Sequence, residues 1–484
     1  MSPHRRLVAL FFLLLTFTVG LAVLAGSGTV TKDNIASRLF LIGDQEEYDD
    51  AIFDGIWENV PPAFNNQYTR RRQTGETGEW GRTNTNTTKT TTTPAMMIRI
   101  AIITTASLDP DYPSYYKQLF ESKSNERYQI ETEWIPITMD TPENSKNATV
   151  VQMLNRVNMV FFSGGDQSRL IKCFCVKKHE NDHCVDSPFL ARLRQLYHAG
   201  SVLIVGTSAG TAVQASKPAM ITGGESWEAL VYGPFENKCP DKIRYALTYN
   251  PKGGFNMFTL GLIDTHLSER GRQGRIMRLA SHVGSRLAFG MDEHGALYIE
   301  SHRLPDDEDI EIAHLKIYGT TGVHMFNLTE HQHSFDGPYW RASMIQDSYF
   351  THGDSLMITM NHRTGASAKQ VRFAPWKTLL WGREEPKSPY PSKDIFSSPD
   401  ANYEEKRRFP REFTNTAQDL VNSKYGNKTV STTFENNPMY LVGMQRIDFG
   451  PYRTRAVQGY DTARKRSYIS YDHILVDMQK WEDD

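Results

Sequence analysis

The chain has 484 residues, 39% of them hydrophobic and 23% charged, with a net charge of −2. That is enough apolar material for a sizeable core and for two or three domains of ordinary size. The near-neutral balance gives no basic excess that would point to nucleic acid and no acidic excess that would form a solvating tail.

The first element is a leader. Arg5 and Arg6 precede an apolar run from Leu7 to Ala25, and Val23 and Ala25 sit where a signal peptidase wants small residues. Residues 1–25 therefore read as a signal peptide. The run is also long enough to stay in the bilayer as a signal anchor, which would give a single-pass type II membrane protein. Thr16, Thr18 and Gly20 dilute it and favour cleavage. In either case the rest of the chain is expected in an oxidising, extracellular compartment, and a membrane is a partner only if the leader is retained. Sequons at Asn86, Asn147, Asn327 and Asn427 fit a secreted glycoprotein. The four cysteines, Cys173, Cys175, Cys184 and Cys239, can form two disulfides in any of three pairings.

Residues 26–95 read as a low-complexity lead-in. It is Thr-rich from Thr83 to Pro94 and has too little apolar surface to fold alone. Order is predicted from Met96. Ile98 to Ile103 is a short, β-branched, apolar run, as expected of a buried parallel strand. A helix is predicted over 111–124, a strand over 130–137, a helix over 148–156 and a buried strand over 158–162. A helix over 187–199 ends at Gly200, and the next strand is 201–205. Strands alternating with helices at this spacing imply an α/β fold: a doubly wound, mostly parallel sheet with flanking helices. Further strands are expected at 259–263, 287–291, 314–318 and 355–359. The catalytic domain is placed at 96–362. Residues 363–484 form a C-terminal extension without a site signal.

Ligands in such sheets bind at the carboxyl ends of the strands. Gly206-Thr207-Ser208-Ala209-Gly210 follows a buried strand and precedes an apolar segment, the grammar of a nucleophile elbow. A serine nucleophile needs a base and an orienting acid. Asp264-Thr265-His266 ends one strand-like segment, and Asp292-Glu293 ends another. Serine, histidine and acid are thus expected to converge on one rim of the sheet. Their chain order differs from the serine, acid, histidine order of α/β-hydrolases. Gly164-Gly165-Asp166-Gln167 closes the preceding strand, where the Gly165 N–H can join that of Ala209 in holding an oxyanion. Arg270-Gly271-Arg272-Gln273-Gly274-Arg275 follows His266. Three arginines there suggest recognition of a carboxylate through charge-assisted, bidentate bonds.

Taken together, Gly-Gly-Asp-Gln at 164–167, Gly-Thr-Ser-Ala-Gly at 206–210, Asp-x-His-x-Ser-x-Arg-Gly-Arg-x-Gly-Arg at 264–275 and Asp-Glu at 292–293 resemble the cyanophycinases, a family that includes the bacterial aspartyl dipeptidases. The resemblance covers about residues 96–360 and implies a fold like class I glutamine amidotransferase domains. It further implies a triad of Ser208, His266 and Glu293. Gln167, Asp264, Arg270, Arg272 and Arg275 would then shape a pocket for a peptide substrate with an aspartyl residue. Members hydrolyse bonds next to aspartyl residues, including β-aspartyl-arginine units, use no cofactor and form homodimers. Thr265 stands where cyanophycinases often have Gln. The insertion around 173–186, the Thr-rich stalk and the C-terminal extension are additions.

Two rival readings come from the same residues. His179-Glu180-Asn181-Asp182-His183 matches the His-Glu-x-x-His pattern of zinc proteases, which needs both histidines on one helix face. Asn181 and Asp182 are poor interior helix residues, and Lys177, Lys178 and Cys184 supply no apolar face. Glu330-His331-Gln332-His333 is a weaker metal hint. The third reading is a secreted, non-catalytic binding protein on the same fold.

Overall fold

A computed structural model describes residues 36–44, 49–62, 95–176, 185–239, 241–243, 245–380, 394–396, 411–424, 426–433, 440–450 and 453–480. The leader, Asn86, the Thr-rich stretch, Cys184 and the His179/Glu180/His183 motif lie outside the described residues.

The apolar runs become the parallel half of a nine-stranded sheet. These strands are β1 (Ser37–Ile42), β2 (Met96–Ile103), β3 (Tyr128–Trp134), β4 (Met159–Phe162) and β5 (Leu203–Thr207), lying in the order β1-β5-β4-β2-β3. Side chains alternate across a strand, so each strand feeds two cores. Phe40 and Ile42 join Ile98, Ile100 and Phe161 on one face, under α1 (Asp50–Asn59) and α2 (Tyr112–Glu121). Leu39 and Leu41 join Ala101, Ile103, Val160 and Phe162 on the other, under α3 (Ala148–Met153), α4 (Gln167–Phe174) and α5 (Pro188–His198). Helices thus cover both faces, as a doubly wound sheet requires. Local chemistry starts them: Asp49 caps α1 by accepting from Ala51 and Ile52 N–H, and Ser187 caps α5 ahead of Pro188 at its first position.

The rest of the architecture departs from the sequence reading. After the elbow come the short helix α6 (Ala209–Ala212), β6 (Leu262–Asp264), α7 (Gln273–Val283) and β7 (Leu287–Met291). Strands β6 and β7 pair in parallel, but in a second sheet rather than beside β5. The first sheet is instead extended antiparallel from β1 by β8 (Gly295–Leu304), β9 (Asp307–Gly319), β12 (Ser355–Asn361) and β13 (Ser367–Arg372). The sheet is therefore mixed.

The second sheet continues from β7 through β10 (Gly322–Asn327) and β11 (Tyr339–Thr351) into the C-terminal region. There β14 (Lys428–Thr432), β15 (Tyr440–Arg446), β16 (Arg455–Asp461) and β17 (Arg466–Lys480) complete it. Helix α8 (Glu412–Asn422) packs Ala417, Leu420 and Val421 into the same core as Ile276 and Leu279 of α7.

The boundaries at 96 and 363 are thus corrected. Ser37–Asp484 form one unit, β1 is an interior strand, and the C-terminal residues build half of the second sheet. The two-disulfide expectation is also corrected. Neither Cys173 nor Cys239 is disulfide-bonded. Cys173 is buried against Met139 and the Thr138 carbonyl, whereas Cys239 is exposed with its thiol on Ile243 O.

Among the remaining sequons, Asn147 and Asn427 are exposed, while Asn327 is half-buried and its Nδ2 donates to Gln346 Oε1. Among the described residues the Glu330–His333 run joins no group of three metal-ligating side chains, and His331 bonds Leu328 O and Ser281 Oγ. Among the described residues no helix is long and apolar enough to cross a membrane.

Candidate active site

Ser208 sits between β5 and α6 with φ 51° and ψ −112°, a conformation that L-residues rarely adopt. Its neighbours explain how the turn is tolerated. A Cβ on Gly206 would lie 2.3 Å from the Gly210 carbonyl oxygen, and a Cβ on Gly210 would lie 2.1 Å from that of Phe162. Only glycine fits at either position. Ser208 N donates to Ile42 O at 3.2 Å and Thr211 Oγ1 ties α6 to Gly206 O and Ile42 O, so β1 braces the elbow directly.

The three residues expected to converge do so, though from two sheets. Ser208 Oγ is 2.8 Å from His266 Nε2, and His266 Nδ1 is 2.7 Å from Glu293 Oε1. His266 follows β6 and Glu293 follows β7, and the parallel pairing of those strands sets them side by side. The His266 side chain is 3% exposed and that of Glu293 32%. Burial holds His266 below the ordinary histidine range. The hydrogen bond that His266 donates to Glu293 opposes this, Arg272 and Arg270 reinforce it, and Asp44 opposes it. These influences together favour the neutral imidazole, the form a general base needs. Glu293 is held below the usual carboxylate range, first by its bond to His266.

Gly164 and Gly165 lie beside the elbow, since a methyl on Gly164 would touch Ser208 Cβ at 3.4 Å. Among the described residues the N–H groups of Gly165 and Ala209 have no protein acceptor. Gln167 starts α4 and donates through Nε2 to Ile221 O at 2.6 Å, so half of its amide is already engaged.

The arginine run divides. Arg275 forms a fork with Asp264, with Nε–Oδ2 at 2.8 Å and an NH2 contact to Oδ1 at 2.6 Å, and both side chains are no more than 4% exposed. Its remaining NH1 bonds Gly224 O. Asp264 and Arg275 are therefore corrected from substrate contacts to a buried pair that braces the strand end. Burial alone would raise the Asp264 carboxyl, but Arg275 and then Arg272 hold it low.

Arg272 donates to Thr265 O at 2.9 Å and stands 4.0 Å from Asp264, and its buried Nε has no partner. Burial, then repulsion from Arg275, pushes it down to about 9. Arg270 is 48% exposed, with Nε 4.0 Å from Glu293 Oε1. Of the three arginines Arg270 is the most exposed, and Arg272 retains a side chain 14% exposed.

Two acids absent from the sequence-predicted set complete the surroundings. Asp44, just past β1, places Oδ2 3.4 Å from His266 Nε2. Asp44, His266 and Glu293 each bring a ligand atom within 4.8 Å of the others, a set that could hold a cation. It would do so at the expense of the ring nitrogens that serve Ser208 and Glu293. Glu269 accepts from Glu293 N at 2.9 Å. Burial, then repulsion from Asp292, pushes its carboxyl up, and the Arg411 guanidinium opposes both. The signal for Asp44 was present in the sequence: an apolar run ending in Gly43-Asp44 repeats the strand-end pattern of the other site residues.

No family model matches the chain. Over 195 residues it is 28% identical to the cyanophycinase of Nostoc sp., spanning 40% of this chain and 55% of that protein. The chain resembles the cyanophycinases. It is also 27% identical over 161 residues to the cyanophycinase of Geminocystis herdmanii, covering 33% of this chain and 48% of the relative, and 25% identical over 203 residues to that of Synechococcus elongatus, covering 42% and 53%. The chain thus spans about half the length of the curated relatives it matches. Among solved structures, a peptidase from an acI-B1 Actinobacterium aligns with TM-score 0.40 and 15% identity, over 66% of this chain and 97% of that one.

Proposed function

We propose that this chain is a serine-type peptidase that cleaves bonds next to aspartyl residues through an acyl-enzyme. The observation that carries the reading is the continuous relay from Ser208 Oγ to His266 Nε2 at 2.8 Å and from His266 Nδ1 to Glu293 at 2.7 Å, with the serine on a strained elbow. The cyanophycinase-like stretch supports the same class.

In this mechanism His266 Nε2 takes the hydroxyl proton as Ser208 Oγ attacks the scissile carbonyl. Glu293 keeps the proton-bearing Nδ1 oriented and stabilises the imidazolium. The carbonyl oxygen becomes an oxyanion held by the N–H groups of Gly165 and Ala209, each such donor contributing about 3 kcal/mol to the barrier reduction. His266 then protonates the leaving amine, leaving Ser208 acylated. Water gives a proton to His266 and attacks the ester; as the bond to Ser208 Oγ breaks, His266 returns that proton to the serine oxygen and the second product leaves with its new carboxyl group. Arg270 and Arg272 would hold the substrate's free carboxylate.

The test is hydrolysis of α- and β-linked aspartyl dipeptides, including β-aspartyl-arginine, by wild type and Ser208→Ala side by side. Turnover should fall by about 10³-fold or more in the variant, with the fold intact. Equal turnover by both would overturn the nucleophile assignment. We also propose secretion with the leader removed. N-terminal sequencing of the exported protein should begin after Ala25, whereas an intact leader would mean an anchored type II protein.

A further inference from the structure

The acid of the relay does not position itself. Glu293 lies in the turn after β7, where a carboxylate has freedom to swing. Its backbone is gripped from both sides: its N–H donates to Glu269 Oε2 at 2.9 Å, and its carbonyl accepts from Thr321 Oγ1 at 2.5 Å. Glu269 can act as that clamp only if its own carboxylate is fixed, and a carboxylate 16% exposed next to the buried Asp292 is costly to fix without a cation.

The cation comes from far along the chain. Arg411, at the mouth of α8, contacts Glu269 Oε1 through NH1. Its NH2 reaches Asp292 Oδ2 at 2.9 Å and Tyr349 Oη at 2.8 Å, and Tyr349 Oη donates to the same Asp292 oxygen at 2.9 Å. The other oxygen of Asp292 accepts from Ser268 N at 3.0 Å. Arg411 N donates to Ser268 O at 3.0 Å, and Thr414, one turn into α8, bonds Ser268 Oγ at 2.6 Å. One guanidinium therefore ties the loop that follows His266 to the loop that carries Glu293.

We infer that Arg411 is a positioning residue of the active site, through which the C-terminal region holds Glu293 in register with His266. The inference rests on the serine-hydrolase reading and adds to it a role for residues beyond the cyanophycinase-like motifs. Arg411 touches no reacting atom. It fixes Glu269 and Asp292, Glu269 fixes the Glu293 backbone, and Glu293 fixes the imidazole. A planar, forked guanidinium serves two carboxylates and a phenol at once, which a lysine ammonium does less well.

The experiment is covalent labelling of Ser208 by a fluorophosphonate probe, read as two separate quantities: the final labelled fraction and the limiting rate constant. Wild type, Arg411→Lys and Arg411→Met are compared, with Arg411→Met/Glu269→Gln, which removes one of the two stranded carboxylates and leaves Asp292 bonded by Tyr349 and Ser268 N, as the variant used if Arg411→Met does not fold. A positioning role lowers the limiting rate constant by about tenfold or more in the Met variants, because small misplacements of catalytic groups cost that much. It leaves the final fraction complete and the probe concentration at half-maximal rate unchanged. Arg411→Lys should fall between them and wild type. A merely structural role lowers the fraction while the surviving molecules react at the wild-type rate, and that outcome would overturn the inference alone. Wild type that leaves the probe untouched would overturn the hydrolase reading and this inference with it.

Discussion

The base nitrogen of His266 faces two oxygen neighbours, the Ser208 hydroxyl at 2.8 Å and the Asp44 carboxylate at 3.4 Å. Asp44 favours the imidazolium, while Arg270 and Arg272 oppose it. Activity requires neutral His266, so the rate should fall on the acid side of its titration, below the ordinary histidine value. Asp44→Asn removes an anion that favours the proton, so the acid limb should move to lower pH. Arg270→Met removes a cation that disfavours it, and the limb should move to higher pH. A pH profile of hydrolysis or of probe labelling measures both. Shifts of the same sign in the two variants would contradict this electrostatic assignment.

The strand-to-helix turn after β5 is the element on which the chemistry depends. It is held by close backbone contact and by the Thr211 hydroxyl. Gly206→Ala would drive a methyl into the Gly210 carbonyl at 2.3 Å. The loss of stability should lie at the upper end of the roughly 1–3 kcal/mol typical of overpacking, or beyond it. Thermal unfolding against wild type measures it, and an unchanged midpoint would mean that the elbow is not as tight as described. This element was legible from Gly-Thr-Ser-Ala-Gly because strand, turn and helix are contiguous there. The arginine run was only half legible. Its composition suggested carboxylate recognition, but the partner that removes Arg275 from that role, Asp264, is a burial effect that spacing does not reveal.

Across the molecule, what could be read was local and what could not was long-range. The parallel strands β2 to β5 followed from their apolar runs and the helices between them. Strand β1 did not, because a long polar stretch separates it from β2, although Leu39-Phe40-Leu41-Ile42 is as apolar as any strand of the sheet. The second sheet escaped for the same reason: its pairings join β11 to β17 across more than a hundred residues of chain, and no local pattern encodes that. Arg411 and Glu269 meet at a sequence separation of 142.

The interior place of β1 has a consequence for truncation. A chain begun at Ala95 would lose Phe40, Leu41 and Ile42, all fully buried. At about 1.5–3 kcal/mol for each such side chain, the loss is comparable with the whole stability of an ordinary domain. That fragment should not give soluble, cooperatively melting protein. If it did, β1 would be dispensable.

The most direct measurement is peptide mapping of the protein after reaction with a fluorophosphonate. The expected result is a single adduct on the peptide containing Ser208, absent in His266→Ala although that variant remains folded. No adduct on the folded wild type, or an adduct on another residue that persists in Ser208→Ala, would contradict the assignment of a Ser208–His266–Glu293 hydrolase.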